Sequence, residues 1–499
     1  MTRSQSRWHV CVSALALFLV CVARPARAHV GSPNVFYEGD AGPYHLLVTV
    51  SVPQVIPGVA EVQIRAASND VHQISTVVTR LAGAGSKYAP VPDVATRSAT
   101  DPHLFTSSIW LMEYGSLRVL LTVSGDRGKA EMSVPVASFA RQSLAMPRAL
   151  GALLAALAIG LALGMISIVG AAVREARLPA GAPVGDRSRR SGIVAMAVTS
   201  AVVAVVFYLA FAWWNVDAAD HARLTRAFKP PRLTVSLDGS NRLRLAATDS
   251  KWASYLAKHK LLLDHGHPMH MFLVRTPAFD RFWHLHPEPN SDGSFDVNLP
   301  RLDAGRYDVF ADVVDESGFP WTFVGAIDLP EVKGAQLTPD DSGGSFAPIS
   351  ETASSVDVLS DGTRVVWQHE PIVANTPLML RFEIQNRDGS PATDMQPYMG
   401  MAAHLEIVRN DLSVFAHIHP SGSAPMAALM LANNGGSGAT MTMPDGSTMA
   451  MPEKIGPELS MPYGFPKPGL YRVFVQFKRG GTIETAVFDV RVEERRQAS

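Results

Sequence analysis

Three stretches of the chain are continuously apolar, and hydrophobic residues elsewhere mostly alternate with polar ones. The first stretch, Val10 to Ala23, follows Arg3 and Arg7 and precedes Ala26-Arg27-Ala28. A charged start, a short apolar core and paired small residues predict a secretory signal peptide over residues 1–28, cleaved after Ala28. The other two stretches, Ala149 to Val173 and Gly192 to Trp214, are uncharged and long enough to cross a bilayer as helices. The loop between them, residues 174–191, carries Arg174, Arg177, Arg187, Arg189 and Arg190 against Glu175 and Asp186. By the positive-inside rule it is cytoplasmic, which predicts a two-pass bacterial inner-membrane protein with both large parts in the periplasm. Gly160 and Gly164 offer a small-residue pair to seat the two helices on each other or to form a dimer.

The alternating runs predict strands. Residues 29–143 contain Leu46 to Val52, Val62 to Arg65 and Leu117 to Val123, separated by Gly, Pro and Asp turns, the pattern of a β-sandwich. Gly42-Pro-Tyr44, Tyr114 to Val119, the Gly125 to Gly128 turn and Val134-Pro-Val136 resemble the YtkA-like/FixH-like group of bacterial envelope domains. That resemblance covers this region alone and implies an immunoglobulin-like or cupredoxin-like fold.

Beyond the second apolar segment, two strand-rich regions, 232–331 and 353–495, repeat one another, with Thr338 to Ser350 reading as a linker. The first has His270-Met-Phe-Leu-Val-Arg275, Phe282-Trp-His284-Leu-His286-Pro287 and Gly305-Arg-Tyr307 in order. The second has His404-Leu-Glu-Ile-Val-Arg409, Phe415-Ala-His417-Ile-His419-Pro420 and Gly469-Leu-Tyr471. The expected fold is mainly β: three β-sandwich domains plus a two-helix transmembrane anchor.

In each repeat the two histidine segments flank a short turn and predict a hairpin. Opposed residues of an antiparallel pair have a constant sum of numbers. If Val274 faces Phe282, then Phe272 faces His284 and His270 faces His286. If Val408 faces Phe415, then His404 faces His419. Residues two apart share a face, so His270, His284 and His286 converge in the first repeat and His404, His417 and His419 in the second. These are read as exposed imidazole patches, each able to share one Cu or Zn ion.

Methionine bears on the choice of metal. Met441-Thr-Met443-Pro and Met449-Ala-Met451-Pro lie in a Gly/Ser-rich insert of the second repeat, and in the first repeat Met269 and Met271 flank His270, with His265 and His267 just ahead of it. Thioether sulfur selects Cu(I), whereas imidazole also takes Cu(II) and Zn(II). The paired methionines are similar to the motifs of envelope copper-handling proteins, and the repeats resemble cupredoxin-like periplasmic copper-handling modules. Copper is therefore the expected ion, with zinc the alternative.

Charge and cysteine narrow the function further. A net charge of −1 argues against a nucleic-acid partner. Cys11 and Cys21 both lie in the predicted signal peptide, so the exported chain would use neither disulfides nor thiolate ligands. Cleavage after Ala28 would make His29 the new terminus, able to hold Cu(II) through its amine and ring, with His45, His72 or His103 completing a histidine brace. The expected function is copper sequestration, relay or delivery beside the inner membrane, in partnership with another copper-handling or respiratory membrane protein. A copper oxidase or monooxygenase using His29, and an envelope interaction protein with structural histidines, are the alternatives.

Overall fold

The computed structural model describes residues 29–30, 34–82, 89–143, 146–179, 181–224, 227–352, 354–433, 440–442, 448–450 and 455–495. The predicted signal peptide, Met443 and Met451 lie outside them. The described chain is mainly β, built of several antiparallel sheets, with two long apolar helices.

Residues 34–143 form two sheets. One runs Val35–Ala41, Tyr44–Ser51, Gly58–Ala66, Leu104–Leu111 and Thr96–Arg97 in spatial order; the other runs Gly128–Ser138, Gly115–Gly125, Val71–Arg80 and Asp93–Val94. Alternate residues of both point into one shared core: Leu46, Val48, Val62 and Ile64 from the first, Ile74, Val119, Leu121 and Val134 from the second. Burying each such side chain contributes about 1.5–3 kcal/mol, which is why the period-two pattern decides the fold here.

The helices are Arg148–Glu175 and Asp186–Leu224, and both are long and apolar enough to cross a membrane. They pack where Gly170 meets Gly192: a Cβ on Gly192 would lie 3.0 Å from the Gly170 carbonyl oxygen. Gly160 and Gly164 meet nothing within 4 Å. The helix contact is therefore made one to three turns further along than the small-residue pair suggested.

Each repeat also has two sheets around its own core. In the first, the histidine hairpin is central to a five-stranded sheet ordered Pro320–Leu329, Gly305–Val314, His270–Thr276, Arg281–Leu285 and Ser342–Ser345. The last strand belongs to the stretch read as a linker. Its Gly and Ser composition imitates a spacer, yet it pairs with Arg281–Leu285 and closes the sheet edge. In the second repeat, His404–Arg409 lies between Val414–Ile418 and Gly469–Arg479. Tyr307 and Tyr471 each donate to a backbone carbonyl four residues upstream, on Asp303 and Lys467, at 2.9 and 2.7 Å; this local device recurs in both repeats.

The two hairpin-bearing sheets face each other. Phe310 stacks on Phe415 with ring centroids 4.2 Å apart, and Phe282 on Phe474 at 4.1 Å. Phe272, Val274, Phe279, Val408 and these rings form one buried seam.

Candidate metal centre

The hairpin registers are those the constant sums require. Val274 pairs with Phe282 and Phe272 with His284; Val408 pairs with Phe415 and Glu406 with His417. Histidines and seam residues therefore share one face of each hairpin. Because that face packs against the other repeat, the histidines are enclosed: His265, His270, His284, His286, His404 and His419 are all buried. The expectation of two exposed patches is corrected here, since large apolar neighbours in the same register draw the whole face inward.

His270, His284 and His286 present one nitrogen each, all within 4.8 Å of one another. The opposite nitrogens are tied down. His270 Nε2 donates to the Asp264 carbonyl at 2.9 Å, which leaves Nδ1 a lone pair. His284 Nδ1 donates to Gln476 Oε1 at 3.0 Å. The Gln476 orientation is set by its amide nitrogen, which donates to Ser342 and Thr485. His286 Nδ1 donates to Asp341 at 2.9 Å. Burial pushes the Asp341 carboxyl upward, but its oxygens receive N–H groups from His286 Nδ1, the His286 backbone and the Thr338 backbone. The carboxylate is the form that accepts all three.

The inward nitrogens of His270 and His284 stand 3.0 Å apart. Two lone pairs at that separation repel unless a cation lies between them. Nitrogens bound at 2.0–2.1 Å to one tetrahedral ion are about 3.3 Å apart. The inward His286 Nε2 is buried with no hydrogen-bond partner among the described residues. Fixed outer acceptors and free inner nitrogens are the arrangement that orients imidazoles on a metal.

A second group, His265, His404 and His419, spans the repeats. His265 lies in a tight turn, at φ 54, with Gly266 at φ 88. The turn aims its ring into the second repeat. Its Nδ1 donates to the Met399 carbonyl at 2.9 Å, and its Nε2 faces His419 Nε2 at 3.2 Å. Neither nitrogen of His404 has a hydrogen-bond partner among the described residues.

His417 was expected in this set, but His265 takes its place. His417 stands between the two groups, its ring centroid 5.4 Å from His270, 5.5 Å from His404 and 4.5 Å from His419. Its Nδ1 is 3.7 Å from an Asp312 oxygen. Glu406 is wholly buried beside it, and neither of its carboxyl oxygens has a hydrogen-bond partner among the described residues. Burial, and then Asp312, push the Glu406 carboxyl well above its usual range. Burial first, and neighbouring imidazoles after it, hold His270, His284, His286, His404 and His419 well below theirs; burial also lowers His265. These rings are neutral at neutral pH, the form that ligates metal.

Several expected ligands are elsewhere. Met269 and Met271 occupy the first repeat's apolar core; on a strand, residues next to His270 must face away from it. Met441 and Met449 are paired by backbone in a small hairpin, Thr440–Thr442 with Thr448–Ala450. His29 lies in a short strand, His29–Val30, parallel to Val414–Ile418. Its proposed partners are engaged locally: His45 with Asp40 and Glu38, His72 with Asp126, His103 with the Ala66 carbonyl. Sequence reasoning noted His265 ahead of His270 but placed it in neither ligand set, and it did not assign Asp341, Gln476 or Glu406. For His265 the signal was the His-Gly-His turn just ahead of His270; for Asp341 and Gln476 no local pattern exists.

A family model described as a domain of unknown function (DUF8832) matches residues 356–494. No curated protein matches the chain. Among solved structures, a tetra-tandem repeat from the extending region of a large adhesion protein is 11% identical, with 88% of this chain and 71% of that one covered and a TM-score of 0.15. The Escherichia coli adhesin FdeC is 12% identical, with 92% and 100% covered and a TM-score of 0.14. The endo-fucoidan hydrolase MfFcnA4 is 10% identical, with 89% and 43% covered and a TM-score of 0.16.

Proposed function

We propose that this chain is a membrane-anchored metal-binding protein that holds copper between its two repeats, on the periplasmic side of a bacterial inner membrane. The two apolar helices anchor three β-sandwich domains, the first of them YtkA-like. The observation that carries this reading is the set His270, His284 and His286. Each ring is fixed through its outer nitrogen to Asp264, Gln476 or Asp341, and the inner nitrogens face one another, His270 Nδ1 and His284 Nε2 3.0 Å apart and His286 Nε2 without a hydrogen-bond partner among the described residues. His265, His404 and His419 supply a second three-nitrogen set.

Neutral imidazole suits copper and zinc, and the divalent affinity order places copper above zinc for the same donors. Burial of both groups between the repeats favours storage or relay over rapid exchange with solvent. The test is metal analysis of the full chain, purified in detergent after growth with both copper and zinc. Two metal ions per chain, copper predominating, are expected; a chain free of both metals would refute the reading.

A further inference from the structure

The histidine groups are buried, so an ion reaching them needs a path, and the fold offers a cleft of about 100 Å³ between the N-terminal β region and both repeats. His417, His419 and Asp312 are among its lining residues. Phe139 and Phe228 also line it, their rings 4.6 Å apart, and the Phe228 backbone donates to the Ala140 carbonyl at 2.6 Å. These are the segments that lead into and out of the apolar helices. Phe139 precedes the helix start at Arg148 by nine residues and Phe228 follows the helix end at Leu224 by four. At about 3.3–3.6 Å per residue, the cleft is held within about 30 Å of one helix and about 14 Å of the other.

The chemistry inside the cleft is graded. A carboxylate oxygen of Asp312 stands 3.7 Å from His417 Nδ1. The far nitrogen of His417, Nε2, is buried and without a hydrogen-bond partner among the described residues. From there the rings of both three-histidine groups are one ring-to-ring step away, at 4.5 to 5.7 Å.

We infer that the two metal sites are loaded from the membrane side through this cleft, with Asp312 and His417 receiving a transition-metal cation before it passes to either group. This rests on the metal-binding reading above. The pair suits transfer because one carboxylate oxygen and one imidazole make a weaker, incomplete ligand set beside two complete ones, so the ion moves inward downhill. His417 also explains its own departure from the second group, since it belongs to the path between groups.

The test uses the metal-stripped full chain in detergent, with glycine-buffered Cu(II) as the probe, and reads both final copper content and loading rate. Ala137→Trp narrows the cleft from a lining position that is no part of either histidine group, and Asp312→Asn removes the receiving charge while keeping its shape. Both are expected to reach the same final copper content as the unsubstituted chain, at least tenfold more slowly. Unchanged rates in both would overturn the route. A reduced final content in Asp312→Asn with Ala137→Trp loading at the normal rate would make Asp312 an equilibrium ligand and also overturn it. If the unsubstituted chain takes up no copper, the metal-binding reading itself fails, a result distinct from either.

Discussion

His284 donates its Nδ1–H to Gln476 across the interface between the repeats, 3.0 Å away. The corresponding pair in the opposite direction is His417 with Asp312, at 3.7 Å. The hairpins and third strands of the repeats align so that Gln476 and Asp312 are equivalent positions, each beside the partner repeat's central histidine. The difference between them divides the roles. A neutral amide fixes one tautomer of His284 and frees its Nε2 inward. A carboxylate instead draws positive charge toward His417.

Gln476→Leu removes the acceptor that sets the His284 tautomer. Affinity at the first group is expected to fall about 10- to 100-fold, while the second group, whose outer contact is the Met399 carbonyl, keeps its affinity. Competitive titration with a copper chelator separates the two sites; equal weakening of both would show that Gln476 acts through the fold.

Acid stability has a definite sign in the metal-free protein. Six histidines have folded pKa values below the unfolded value of about 6.5. Above that pH neither state is protonated at these rings and they impose no pH dependence. Below it the unfolded chain binds protons first, and stability falls by about 1.4 kcal/mol per pH unit for each such ring. Glu406, Asp341 and Glu484, whose carboxyls are raised on folding, have the opposite sign above about pH 4, but they are three groups against six. Denaturant midpoints from pH 7 to 5 should drop steeply without metal and much less with it, because bound metal excludes the protons.

Much of this site was legible in the sequence, and its limits are physical. With Val274 set against Phe282, the constant sum gave the pairing of Phe272 with His284, because an antiparallel ladder has no freedom once one pair is chosen. Enclosure was also written there. Phe272, Val274 and Phe282 share the histidine face, and a face carrying three large apolar residues is not a solvent face. What no local pattern holds is which surfaces of two domains meet, and that decides the places of His265, Gln476 and Asp341. Composition misled at Ser342–Ser345, where small polar residues form an edge strand, and adjacency misled at Met269 and Met271, which point away from the histidine they flank.

Topology is checked by reporter fusions. Fusions after Ser143 and after Asp220 are expected to be active only in the periplasm, and one near Gly185 only in the cytoplasm. A periplasmic signal at Gly185 would reverse the orientation and place the histidine groups in the cytoplasm.

The methionine insert tests copper against zinc. Replacing Met441, Met443, Met449 and Met451 by Leu keeps apolar volume and removes the thioethers. The variant is expected to lose affinity for Cu(I) in chelator competition and to keep Cu(II) at the histidine groups. Equal loss for both oxidation states would mean that the insert supports the histidine groups structurally.

The decisive measurement is metal stoichiometry in paired variants of the full chain. His284→Gln with His286→Gln should lower the content from two ions per chain to one, and His404→Gln with His419→Gln should do the same independently. All four changes together should leave none, with the β-rich circular dichroism spectrum retained in each case. A content unchanged by the four substitutions would contradict the account, because the metal would then be held somewhere other than between the repeats.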